Sequence, residues 1–129
     1  MEGRAVTQFD LLLERNRSFA ADASARRKLT EMPGGQVFII SCIDPRVEPA
    51  TFLGVGIGDA IIMRNAGGRV TEAAIADIAF ISYLGEIMAG DADRPPLEVA
   101  VIHHTKCGTG FLADEGFRHG FAERTGFAE

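Results

Sequence analysis

Three short apolar runs punctuate the chain: Val37 to Ile40 (Val-Phe-Ile-Ile), Ala60 to Arg64 (Ala-Ile-Ile-Met-Arg) and Leu97 to Ile102 (Leu-Glu-Val-Ala-Val-Ile). They are brief, nearly continuous and rich in β-branched residues, the pattern of strands buried on both faces of a parallel sheet. Between the second and third runs the period changes. From Glu72 to Met88, apolar Ala74, Ile75, Ile78, Ile81 and Tyr83 or Leu84 recur at helical spacing behind Thr71, a good N-cap, and Gly90 with Pro95-Pro96 closes the segment. Strand, helix and strand in succession predict right-handed parallel crossovers and hence an α/β fold, a parallel sheet flanked by helices.

The flanks are helical in pattern. Ala5 to about Leu29 carries Val6, Phe9, Leu12, Leu13 and Phe19 near helical spacing among many alanines, and Met32-Pro33-Gly34-Gly35 ends it. This predicts an amino-terminal helical arm over 1–35 joined to an α/β domain over 36–129. Glu48 to Leu53 predicts a short helix, and Phe111 to Phe121 another with Leu112, Phe117 and Phe121 facing inward. The glycines of Gly54-Val-Gly-Ile-Gly-Asp precede a strand, whereas a dinucleotide-binding fingerprint follows one and opens a helix, so they read as a permissive turn.

Composition narrows the function classes. The 129 residues are 47% hydrophobic and 24% charged, ordinary for one globular domain, and no apolar stretch is long enough to span a bilayer. Glu2 and Asp10 interrupt any secretory pattern at the amino terminus, so a cytoplasmic location with no membrane association is expected. Lys and Arg number 13 against 18 Asp and Glu, a net charge of −5, with no basic stripe to follow a phosphate backbone; nucleic acid is not an expected partner.

The chemistry gathers at the ends of the apolar runs. Cys42, Asp44 and Arg46 follow the first in Ser-Cys-Ile-Asp-Pro-Arg, and the third leads into His103-His104-Thr105-Lys106-Cys107-Gly108. Those are the only two cysteines, and each has a histidine or a carboxylate nearby. Thiolate and imidazole suit a tetrahedral Zn²⁺, and three protein ligands leave a position open for chemistry. Ligand sites of open parallel sheets lie beyond the carboxyl ends of the strands, so two neighbouring strands would deliver these groups together. Singly, each residue has a duller reading: a buried free cysteine, or a structural Asp44–Arg46 ion pair. Their coincidence argues for a site. Because side chains alternate along a strand, His103 and His104 cannot both face it, and His103 reads as a hydrogen-bonded structural residue. His119 lacks such company and reads as surface.

On Cys42-x-Asp44-x-Arg46, Arg64-Asn65-Ala66-Gly67 and His104-x-x-Cys107-Gly108, in that order, the chain resembles the β-class carbonic anhydrases from about Gln36 to its end. The resemblance implies that Cys42, His104 and Cys107 bind zinc and that Asp44 and Arg46 form a catalytic dyad beside it. It further implies that hydroxide made available at zinc converts carbon dioxide to bicarbonate and a proton, a carbonate dehydratase (lyase) activity. Asp44 would either pair with Arg46 and orient the nucleophile or, in a closed state, swing onto the metal. Ala66, Gly67 and Gly108 would lie against the substrate, their backbone amides positioning its oxygen. The amino-terminal helices would pack across a partner subunit, giving a homodimer or higher homo-oligomer.

Two departures stand out. Lys106 occupies a position that is acidic in many members, which alters the field beside Cys107. The chain also ends before a further strand and helix of the resembled fold, an arrangement expected to leave a sheet edge uncovered. The alternatives are a hydrolase of another CO₂-like molecule such as carbon disulfide, or a catalytically silent zinc-binding or interaction domain; fold and ligands alone do not separate these from the first reading.

Overall fold

The computed structural model describes residues 5–24, 29, 36–90 and 92–128. They group into two compact units, Met1–Glu31 and Met32–Glu129. The first contains α1 (Gln8–Ala21), which starts at a capping box: the Asp10 amide donates to Thr7 Oγ1 at 3.3 Å and the Thr7 amide donates back to Asp10 Oδ2 at 2.7 Å. The helix is shorter than the Ala5 to Leu29 expected. It stops at Asp22, whose extended backbone and side-chain bonds to Ser24 supply a local alternative to another helical turn. Beyond it, residues 22–24 and 29 are not helical, residues 25–28 of the expected helix lie outside the described residues, and so does Met32-Pro33-Gly34-Gly35.

In the second unit, β1 (Val37–Cys42), α2 (Pro49–Phe52), β2 (Ile61–Asn65), α3 (Glu72–Ala89), β3 (Glu98–Val101), a 3-10 turn (Gly108–Ala113) and α4 (Glu115–Thr125) follow one another. The three strands form a parallel sheet in the order β2-β1-β3. Centrality explains the composition of β1: Phe38, Ile39, Ile40, Ser41 and Cys42 are all buried. Its register pairs Cys42 with Asn65 and Ile40 with Val101, so the carboxyl ends of all three strands open on one edge.

The core explains how α3 is held. Phe38 and Ile40 meet Ala74, with Ile61, Met63, Ile78, Ile81 and Leu97 packed around them. Thr71 Oγ1 accepts the Ala74 amide at 3.2 Å, and Gly90 at positive φ ends the helix. The buried stripe is narrower than the face read from the periodicity: Ala74, Ile78 and Ile81 turn to the sheet, whereas Ile75 and Tyr83 are exposed. At the other end, the expected Phe111 to Phe121 helix divides at Asp114, which closes the 3-10 turn and then caps α4 by accepting the Phe117 amide at 2.7 Å. A capping aspartate favours a fresh start over a continuous helix. No helix among the described residues is long and apolar enough to cross a membrane.

Candidate metal centre

The sheet edge sets the positions. Cys42 is the last residue of β1, and the chain leaving β3 is held beside it by the Ile102 amide donating to Ile40 O at 2.8 Å. His104 and Cys107 then turn towards Cys42. The three ligand atoms lie within 4.8 Å of one another, and the two sulfurs are 3.7 Å apart. His104 Nε2 is buried with no hydrogen-bond partner. An orphaned imidazole nitrogen facing two soft sulfurs is the donor set zinc requires, so the residues fit the metal.

The Cys42 sulfur is in an environment suited to a thiolate. Cys42 is held below the usual thiol range, first by the Asp44 backbone N–H and further by the Gly67 amide and the Cys107 side chain, against burial, which pushes it up. Cys107 Sγ lies 3.1 Å from Thr109 Oγ1.

Asp44 sits with Arg46, outside the three-ligand group. Its Oδ1 accepts the Arg46 amide at 2.9 Å and Arg46 Nε at 3.0 Å, while Oδ2 accepts Arg46 Nη2 at 2.7 Å. These bonds hold the Asp44 carboxyl far below the usual carboxylate range. Oδ1 is fully used, whereas Oδ2 keeps a lone pair and lies 4.0 Å from His104 Nε2. Arg46 is itself steadied, because Nη2 also donates to the Lys106 carbonyl at 2.9 Å. Lys106 adopts φ +54 there, the only described non-glycine residue at positive φ.

Arg64, whose place in Arg64-Asn65-Ala66-Gly67 carried no assigned role, ties the first loop together. It donates to Cys42 O at 2.9 Å, Asp44 O at 2.7 Å and Glu48 Oε2 at 2.6 Å. Thr109 gave no signal in the sequence beyond its nearness to Cys107. His103 Nε2 donates to Gly68 O at 3.1 Å, since a carbonyl only accepts, and so turns away from the ligand group. His119 faces Glu123 on the exposed side of α4.

A cavity of about 550 Å³ opens onto the centre. Cys42, Asp44, Ala66, Gly67, Cys107 and Gly108 line its floor, and Leu112, Phe117 and Phe121 give it an apolar wall. Ala66, Gly67 and Gly108, expected beside the substrate, thus all border this space.

The sequence profile of the carbonic anhydrase family matches residues 37–120. Over 94 residues the chain is 30% identical to Beta-carbonic anhydrase 1 of Mycobacterium tuberculosis, covering 73% of this chain and 52% of that protein. It is 36% identical over 92 residues to the Carbon disulfide hydrolase of Saccharolobus solfataricus, covering 69% of this chain and 40% of that protein. The chain therefore spans about half the length, or less, of these curated relatives. Among solved structures, carbonic anhydrase from Streptococcus mutans superposes with a TM-score of 0.66 at 28% identity, covering 96% of this chain and 69% of that one.

Proposed function

The chain belongs to the β-class carbonic anhydrase family, and from that premise we propose that it catalyses zinc-dependent, reversible hydration of carbon dioxide to bicarbonate and a proton. One observation carries the reading: Cys42, His104 and Cys107 converge within 4.8 Å beside an Asp44 carboxylate that is ionised and pinned.

Cys42 Sγ, Cys107 Sγ and His104 Nε2 would hold the zinc. Bound there, zinc supplies a Lewis acid that makes hydroxide available from water near neutral pH, as it does in carbonic anhydrases with all-histidine ligation. Asp44 Oδ2 accepts the hydrogen bond of the attacking oxygen with its remaining lone pair, and so directs that oxygen's own lone pair into the cavity. Arg46 fixes the carboxylate with a bidentate grip and keeps it from reaching the metal itself. The apolar wall of Leu112, Phe117 and Phe121 suits an uncharged linear substrate. The Gly108 backbone, at the cavity floor, would border the substrate oxygen. The same wall and the Saccharolobus solfataricus relative favour, as a second reading, hydrolysis of carbon disulfide.

The apolar positions Val6, Phe9, Leu12, Leu13 and Phe19 of the amino-terminal arm are suited to a second subunit, and we take the working form to be a cytoplasmic homodimer. Stopped-flow carbon dioxide hydration on protein of measured zinc content, with carbon disulfide assayed in parallel, tests the reading. Zinc-proportional hydration is expected. Hydrolysis of carbon disulfide alone would select the second reading, and a full complement of zinc with neither activity would leave a silent zinc-binding domain.

A further inference from the structure

The two sulfurs are supported differently. Cys42 Sγ takes its donors from the main chain, the amides of Asp44 and Gly67, which nearly any sequence of this backbone would supply. Cys107 Sγ has Thr109 Oγ1 at 3.1 Å, a side-chain partner that can be removed without touching the backbone. With a thiol either atom can donate. With a metal-bound thiolate there is no proton on sulfur, so the hydroxyl must be the donor.

The Thr109 side chain is also held in place. A β carbon on Gly67 would lie 3.2 Å from Thr109 Oγ1, 3.3 Å from its Cγ2 and 3.2 Å from Arg69 Nε, so the threonine and the arginine together fill the hollow that this glycine leaves. The position of Thr109 in the 3-10 turn is set by the Gly110 amide donating to Cys107 O at 2.9 Å. A β-branched side chain confined in this way has little rotameric freedom, and the hydroxyl stays aimed at sulfur.

We infer that Thr109 is a positioning residue of the reaction: its hydroxyl donates to the Cys107 thiolate, draws electron density from sulfur and thereby keeps the bound metal a stronger Lewis acid. The inference rests on the metal reading above. Groups that hydrogen-bond to metal ligands typically matter about 10–100-fold for metal affinity or activity when removed.

The full 129-residue chain loaded with Co²⁺ in place of zinc provides the test, because thiolate-to-cobalt charge-transfer bands report the energy of the sulfur lone pairs directly. Thr109→Val and Thr109→Ala both lack the hydroxyl but differ in bulk, whereas Thr109→Ser keeps it. The bands should move to longer wavelength by the same amount in the valine and alanine variants and stay at the parental position in the serine variant, with one metal per chain throughout. Carbon dioxide hydration by the zinc-loaded valine variant should fall about tenfold or more. Parental bands in Thr109→Val, or a serine variant that matches valine, would overturn the inference while leaving the metal site intact. Cobalt bound without thiolate bands would overturn the ligand assignment and this inference together.

Discussion

Replacing Gly68 by alanine should damage the metal centre from a position that touches no metal. Gly68 has φ +61, and a β carbon there would stand 3.0 Å from Cys42 N, Ile102 O and the carbonyl carbon of Ser41, all main-chain atoms that cannot rotate aside. The left-handed backbone costs an alanine roughly 1–2 kcal/mol, and forcing atoms into a packed region adds about 1–3 kcal/mol. Gly126→Ala isolates the first effect, because Gly126 has φ +74 with nothing within 4 Å of its β-carbon position. The smaller entropy of the unfolded alanine chain offsets up to about 1 kcal/mol in both variants and cancels in their difference. Urea denaturation of the two zinc-loaded variants at one protein concentration should therefore place Gly68→Ala about 1–3 kcal/mol below Gly126→Ala. It should also lose zinc to a chelator sooner, since the displaced atoms belong to β1 and to the segment leading to His104. Stabilities within about 0.5 kcal/mol of each other would refute the close-approach argument.

Cys42→Ser and Cys107→Ser should each lose most bound zinc and the stability that chelation removes from the parent, checked by metal analysis and thermal melts; full retention in both would take them out of the ligand set. Asp44→Ala should keep its zinc and lose most hydration, and Arg46→Ala should lose activity by freeing Asp44 to approach the metal, both read as kcat at measured zinc content; parental rates in either variant would remove the dyad from the mechanism. The Asp44 carboxyl is depressed in the folded chain by Arg46, so its stabilising contribution is fully present above the unfolded value of about 3.9 and is lost only as pH falls through the lower folded value. Carbon-13 NMR should find Asp44 still ionised where exposed carboxylates are half-protonated, and a midpoint at the ordinary value would show that the pair does not form in solution. Lys106→Gly should stay within about 1 kcal/mol of the parent, whereas Lys106→Val, with a β-branched side chain at φ +54, should be destabilised by roughly 1–2 kcal/mol in the same urea assay.

How much of this was legible depended on whether a feature is local. The strands were, because each is a short apolar run rich in β-branched residues, and the boundaries of β1 to β3 fall within two residues of the runs read from the sequence; their burial was not, since only the central β1 is buried, whereas the flanking β2 is half-buried and Val99 and Val101 of β3 are exposed. The cap at Thr71 and the stop at Gly90 were legible for the same reason. The exposed side of α3 was not: Ile75 and Tyr83 lie on an apolar face by periodicity, but the way the helix is rotated on the sheet, with Ala74 against Phe38 and Ile40, decides which residues are covered. The convergence of Cys42, His104 and Cys107 could be anticipated from strand ends because parallel topology brings those ends together. Thr109 could not, because its role depends on a 3.1 Å approach to sulfur and on the hollow left by Gly67, which lies far from it in the chain.

The centre draws on three strand ends, and polar contacts run between those ends as well as within them. Arg64, from β2, bonds the Cys42 carbonyl at the end of β1 and the Asp44 carbonyl and Glu48 carboxylate beyond it. Arg46, in that loop, reaches the Lys106 carbonyl after β3, and His103, also after β3, returns to Gly68 after β2. The ties close a circuit around the ligand group. Each strand end is thus located by its neighbours, which is how short loops can hold two sulfurs and an imidazole within bonding reach of one ion. Such connected groups respond non-additively to substitution. A change at Arg64 or Lys106 therefore reaches the ligand group through carbonyl and carboxylate positions, and the placement of Asp44 and Arg46 is inseparable from the geometry of the loop after β3.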